Sequence, residues 1–147
     1  MNKKNLFVFS IALLIVILDQ LTKFLIKQNF QLNGSIPIIN NVFHLKYITN
    51  TGSAFGLFRG LNLFFISFSI IVIAVIFYCL KKIKYNEKAL QFAVGLLLGG
   101  TIGNLIDRIT YGAVTDFIDF RIWPVFNVAD SSVTISIILL IVLVWKK

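Results

Sequence analysis

The 147-residue sequence has one cysteine, Cys79, one histidine, His44, and only six acidic residues. A lone cysteine excludes a disulfide framework and a paired-thiol metal site. Cys79 lies within an apolar run, so a buried, inert thiol is expected. A single histidine argues against a zinc site or a histidine-based triad. Charge is scarce too. Charged residues make up 14% of the chain against 58% hydrophobic, where a soluble domain carries about a quarter charged. With a mean hydropathy of +0.89, the chain belongs in a bilayer. The net charge of +8 comes from lysines clustered beside hydrophobic runs, which fits membrane topology and not a nucleic-acid-binding face.

A membrane-crossing helix needs about 20 mainly apolar residues. Four spans are expected, at about 6–26, 61–80, 89–106 and 126–145. The first crosses only if Asp19, Gln20 and Lys23 lie inside it, and the last only if it includes Asp130. The N-terminal 18 residues imitate a signal peptide, but DQLTK follows and not a small-residue cleavage site, so a retained first helix is expected. Lys3 and Lys4, then Lys81, Lys82, Lys84 and Lys88, then Lys146 and Lys147 flank one side, which predicts both termini on the cytoplasmic side. Loops at about 27–60 and 107–125 then face outward. Residues 36–48, IPIINNVFHLKYI, predict a small strand-containing element in the first of them. There is no repeat, low-complexity tract or linker, so residues 1–147 form one domain. The fold class is mainly α: four transmembrane helices with a small β-rich cradle on the outer face.

Gly95, Gly99 and Gly103 recur every four residues on the third span, which lets another helix approach closely. That packing can be met within one chain, so a monomer is expected. Gly100, Asn104 and Arg108 form the adjacent stripe.

Five of the six acids (Asp19, Asp107, Asp116, Asp119 and Asp130) fall near the outer ends of spans or in the outer loops; Glu87 is the exception. A carboxylate inside a bilayer costs at least about 2.5 kcal/mol on insertion scales, so it faces a partner or a cavity. Asp19 and Lys23 stand four apart, the favoured order for a helical ion pair, and the plain reading is a structural pair whose lysine snorkels outward. Asn50–Phe55, NTGSAF, reads as a turn or as an amide clamp for an extended peptide. Asp130 heads the last span, where the helix dipole favours an acid. Asp116 and Asp119 lie in a short loop that can bring either to Asp130 once Trp123 and Pro124 turn the chain. Two carboxylates held together share a proton and can act as general base and acid. A calcium or magnesium site would want more oxygen donors in regular spacing, and spacing alone does not choose between Asp116 and Asp119.

In order along the chain, DQLTK (19–23), NTGSAF (50–55), GGTIGNLIDR (99–108), VTDFID (114–119) and FNVAD (126–130) resemble signal peptidase II, the bacterial prolipoprotein signal peptidase family. The resemblance covers the whole chain. It implies an aspartyl endopeptidase of the bacterial inner or plasma membrane, with four transmembrane helices, an outward β-rich cradle and a membrane-surface helix. It implies Asp116 and Asp130 as the catalytic dyad at the outer leaflet. Asn50, Asn104, Asp107, Arg108, Asn127, Asp19 and Lys23 would support the site or hold substrate, and Asp119 would be a structural neighbour. The implied partners are membrane lipids and diacylglyceryl prolipoproteins, cleaved immediately before the lipidated cysteine, with no metal, cofactor or nucleic acid. Ser53 departs from the alanine common in the family. The main rival classes are a transporter or channel, in which acids and glycines line an ion path, and a scaffold without chemistry.

Overall fold

The computed structural model describes residues 3–52 and 60–145. Four long helices carry the fold: α1 (Lys3–Asn29), α2 (Asn62–Leu80), α3 (Lys88–Tyr111) and α4 (Val128–Trp145). Three strands, β1 (Ser35–Ile39), β2 (Phe43–Asn50) and β3 (Val114–Asp119), complete it. All four helices are long and apolar enough to cross a membrane.

Polarity is inverted relative to a soluble protein. Leu13, Leu63, Ile71 and Ile138 are between 56% and 76% exposed, whereas Asp19, Lys23, Gln91, Asp107, Asp116 and Asn127 are at most 1% exposed. Apolar side chains face outward on every helix, the arrangement a hydrocarbon solvent stabilises and water does not. Cys79 corrects the sequence expectation, because it is exposed on the outer surface of α2.

The third span is the centre of the bundle, packed against α1, α2 and α4. Its glycines explain how. A Cβ added at Gly95 would lie 2.8 Å from Ile11 Cβ, and one at Gly99 would lie 2.7 Å from the Ala12 backbone oxygen. A Cβ at Gly103 would meet Asp19 Oδ2 at 2.6 Å. This row therefore receives α1. Gly100, one residue off the row, faces α4, with Ala129 O 2.5 Å from the same imagined atom. Close backbone approach supplies the packing that hydrophobic expulsion cannot supply in lipid.

At one end of the bundle, Lys4 Nζ donates to Leu80 O and Ile83 O at 2.7 and 2.8 Å and so satisfies carbonyls at the α2 terminus. Buried Gln91 donates to Lys84 O and Tyr85 O in the same turn. At the other end lies the antiparallel sheet, in the order β1-β2-β3. The strand-containing element expected at 36–48 is a hairpin of β1 and β2, turning through Asn41 at φ 60°.

The second loop differs from expectation in two ways. Helix α3 runs on to Tyr111, so Asp107 and Arg108 are helical residues and not the start of a loop. It stops at Gly112, whose φ of 73° is the left-handed conformation glycine adopts without strain and whose N–H closes on Arg108 O. The acidic stretch then forms β3, pairing Ile48 with Asp116 and His44 with Asp119. Register slips by one residue between Leu45 and Ile48, a bulge that re-aims the strand at its polar end. Among the described residues no surface helix accompanies the four long ones. Ser53, Ala54 and Phe55 of the NTGSAF stretch, and Lys146 and Lys147, lie outside the described residues.

Replacing Gly99 or Gly100 by alanine forces a methyl group against helix backbone. Each substitution is expected to destabilise the fold by about 1–3 kcal/mol, read as a lowered unfolding temperature in detergent, and Ile138→Ala on the outer surface serves as the near-neutral control.

Candidate active site

The site forms where β3, the start of α4 and the polar end of α3 meet. Phe126 bonds back to β3: its N–H donates to Ile118 O at 3.1 Å, and its carbonyl accepts from Phe117 and Ile118. That return fixes Asn127 at the head of α4. Asn127 Oδ1 accepts from the Asp130 N–H at 2.8 Å, and Asp130 Oδ2 accepts from the Asn127 N–H at 3.3 Å. The pair is a reciprocal cap built on the N-x-x-D spacing.

The rest of the Asn127 side chain reaches the other acid. Its Nδ2 donates to Asp116 Oδ1 at 2.7 Å, and to Asn104 Oδ1 and Thr115 O at 3.2 and 3.3 Å. One asparagine therefore holds both carboxylates. Asp116 Oδ2 accepts from Asn50 Nδ2 at 3.1 Å, and Asp130 Oδ1 accepts from Asn104 Nδ2 at 2.7 Å. Asp119 is turned elsewhere, accepting from the Arg121 N–H at 2.8 Å and pairing loosely with its guanidinium at 3.5 Å. His44 also stands apart, beside Ser35 on the sheet.

Behind the two acids lies a buried ionic network. Lys23 Nζ is 2.8 Å from Asp19 Oδ2, 3.4 Å from Asp107 Oδ2 and 3.0 Å from Asn104 Oδ1. The lysine is 1% exposed, so it points into the bundle and does not snorkel outward. The glycine at 103 leaves room for Asp19, whose Oδ1 also accepts from the Ala129 N–H at 2.9 Å. Asp107 Oδ2 accepts from the Thr115 N–H at 2.8 Å and so pins β3 to α3.

Gln20 joins this network, although neither spacing nor resemblance gives it a role. Its Nε2 lies 3.2, 3.1 and 3.1 Å from Asp19 Oδ2, Gly103 O and Asp107 Oδ1. An amide inside an apolar span, next to an acid, was the available signal.

In front of the acids opens a cavity of about 970 Å³. Phe65, Phe68 and Val72 of α2 form one wall, Val133 and Ile137 of α4 the other, with Leu97 and Gly100 of α3 between them. Asn50, Asn104, Asp116 and Asp130 line it, as does Arg108. The Arg108 guanidinium stacks over Phe65 at 5.0 Å and donates to Gly52 O at 3.4 Å. Among the described residues no group of three or more His, Cys, Asp or Glu is gathered to hold a metal ion.

Burial is the main cause that pushes the Asp116 carboxyl up to about 7, and the charge of Asp130 adds to it. Hydrogen bonds from Asn50 and Asn127 and the charge of Lys23 pull the other way and are outweighed. Near neutral pH such a pair holds a proton that two isolated carboxylates would have lost. The arrangement can deprotonate one group and protonate another in the same event.

Comparison with known proteins agrees over nearly the whole chain. The family model for signal peptidase (SPase) II matches residues 11–146. A lipoprotein signal peptidase of Halothermothrix orenii is 44% identical over 140 residues, covering 95% of this chain and 96% of that protein. The one of Moorella thermoacetica is 42% identical over 130 residues, covering 88% and 87%. A bacterial membrane enzyme solved by the in meso method at 2.3 Å superposes with a TM-score of 0.89 at 38% identity, covering 95% of this chain and 87% of that one.

The raised Asp116 carboxyl gives a signed pH dependence of stability. Its ordinary value is 3.8, so between that pH and about 7 the folded chain keeps a proton that the unfolded chain releases. Stability from this group therefore falls as pH rises through that window and levels off above it. The unfolding temperature is expected to drop between pH 5 and pH 8, and Asp116→Asn is expected to flatten the drop.

Proposed function

The chain belongs to the signal peptidase II family and is an aspartic-type peptidase of a multi-pass membrane protein class; from that footing we propose that it removes signal peptides from diacylglyceryl-modified prolipoproteins. Cleavage falls immediately before the lipidated cysteine, and Asp116 and Asp130 are the catalytic dyad. The observation that carries this reading is that one buried residue, Asn127, donates to both carboxylates, from its side-chain amide to Asp116 and from its backbone N–H to Asp130, at the wall of a large apolar cavity.

The chemistry follows from a dyad that holds one proton. The ionised carboxylate takes a proton from a water, and the resulting hydroxide attacks the carbonyl carbon of the residue before the cysteine. The proton held by the dyad passes to the carbonyl oxygen. The neutral tetrahedral intermediate then collapses: one of its hydroxyls returns its proton to the dyad as the carbonyl re-forms, the C–N bond breaks, and the dyad delivers a proton to the departing amine of the cysteine. One water is consumed and the dyad ends with the one proton it began with. Neither step calls on a metal or organic cofactor.

Substrate recognition fits the cavity. A signal peptide is an apolar segment and the diacylglyceryl group is hydrocarbon, and both suit walls of Phe65, Phe68, Val72 and Ile137. Asn50 and Arg108, at the same cavity, offer polar contacts to the extended peptide that enters the dyad. Asp19, Lys23 and Asp107 support the site from behind. A monomer suffices, since both acids and the cavity come from one chain.

Orientation follows from charge. Lys3, Lys4, Lys81, Lys82, Lys84 and Lys88 gather at the end of the bundle opposite the sheet, which favours that end facing the cytoplasm. The dyad then lies toward the outer leaflet of the bacterial cytoplasmic membrane, where a translocated lipidated cysteine stands.

Asp116→Asn and Asp130→Asn are each expected to cut cleavage of a purified diacylglyceryl prolipoprotein by about a thousandfold or more, with the folded yield retained. Full activity in either variant removes the dyad assignment. Because the proton is lost as pH rises through about 7, kcat should decline on the alkaline side of that value.

A further inference from the structure

The two acids of the site have unequal surroundings. Asp116 is 1% exposed, on a strand, with both oxygens held by side-chain amides. Asp130 is only partly buried, stands in the first turn of α4 where the helix dipole favours negative charge, and takes a backbone N–H as well as an amide. The amide on Asp130 is the informative one. Asn104 could turn either its oxygen or its NH2 toward Asp130, and the two choices have opposite consequences. An NH2 stabilises a carboxylate, whereas a carbonyl oxygen needs a carboxylic acid proton to face it.

The choice is made from behind. Lys23 has donors only, and its Nζ is 3.0 Å from Asn104 Oδ1. Asn127 Nδ2 donates to that same oxygen at 3.2 Å. With its oxygen fixed by two donors, Asn104 must present its Nδ2 to Asp130 Oδ1, at 2.7 Å. We propose that Lys23 is a positioning residue that acts through the Asn104 amide to keep Asp130 as the ionised member of the dyad, leaving the shared proton on Asp116. The two amide contacts of Asp116 work against near-complete burial and without the backbone N–H and helix N-terminus that Asp130 has. Asp130 is then the general base toward water and Asp116 the acid toward the substrate carbonyl. This inference rests on the dyad reading above and assigns the roles within it.

Charged groups face the dyad from each element around it. Helix α1 supplies Asp19 and Lys23, α3 supplies Asp107 and Arg108, and Asp116 and Asp130 face each other from β3 and α4. Simple field effects from these groups act through space and would add, whereas a relay requires the Asn104 amide. A double-mutant cycle separates the two.

The experiment measures kcat and KM across pH for the wild type, Lys23→Met, Asn104→Leu and the double variant, in detergent with a diacylglyceryl prolipoprotein. Lys23→Met is expected to lower kcat with little change in KM, and to move the acidic limb of the kcat profile up by about one unit or more. In the Asn104→Leu background the same substitution is expected to move the limb by less than half as much. An unmoved limb, a loss carried by KM, or an equal shift in both backgrounds overturns the relay. If Lys23→Met does not fold, Asp19→Asn/Lys23→Met, which removes the ion pair together, takes its place in the cycle with the same criteria. Activity surviving in Asp116→Asn or Asp130→Asn overturns the dyad itself, which is a different failure from dead aspartate variants with an unmoved limb.

Discussion

An ammonium group buried in the middle of an apolar bundle constrains everything near it. Lys23 is held by Asp19, Asp107 and Asn104, and each of those partners has a second obligation. Asp19 accepts from the first turn of α4, Asp107 accepts from β3, and Asn104 donates to Asp130. The lysine thereby ties α1, α3, α4 and β3 to one point. Breaking a buried pair by removing one partner costs about 3–5 kcal/mol, because the charge left behind has no solvent. The network is therefore better understood as setting geometry than as adding net stability.

That network depends on how closely the helices approach. The Gly95–Gly99–Gly103 row brings α1 against α3, and its last member stands where Asp19 needs room. Gly100, turned toward α4, brings Ala129 close and with it the cap that carries Asp130. Small residues at successive turns of one helix thus control where two acids from other elements come to rest.

Much of this was legible in the sequence, and for identifiable reasons. Hydrophobic runs of membrane length predicted the four helices, and glycine spacing predicted which face of α3 would be crowded. An acid ahead of an apolar run, Asp130, marked the head of α4. What the sequence hid was non-local. The acidic stretch 114–119 looked like a loop because its strand exists only by pairing with β2, some seventy residues earlier. Lys23 looked free to snorkel because its two partners on α3 are unrelated to it in sequence. Cys79 looked buried because apolar surroundings in a chain mean burial only when the solvent is water. The separation of Asp119 from the site needed Phe126 folded back on β3, which no local signal announced.

The distribution of polar groups also bears on what the bundle can do. An ion path would require side chains along its length with donors or acceptors to spare. In the apolar part of the bundle, Ser69, Thr101, Ser132 and Ser136 each spend a hydroxyl on a helix carbonyl, at 2.6–2.9 Å. Gln91, at the far end, spends its NH2 on Lys84 O and Tyr85 O of the connection between α2 and α3. The ionisable groups Asp116, Asp130 and Arg108 are instead gathered at the sheet end, against a cavity whose walls are largely hydrocarbon. Polar chemistry at one depth, beside an apolar volume open to a long occupant, is what hydrolysis of a membrane-embedded peptide requires. Conduction across the bilayer requires the opposite distribution.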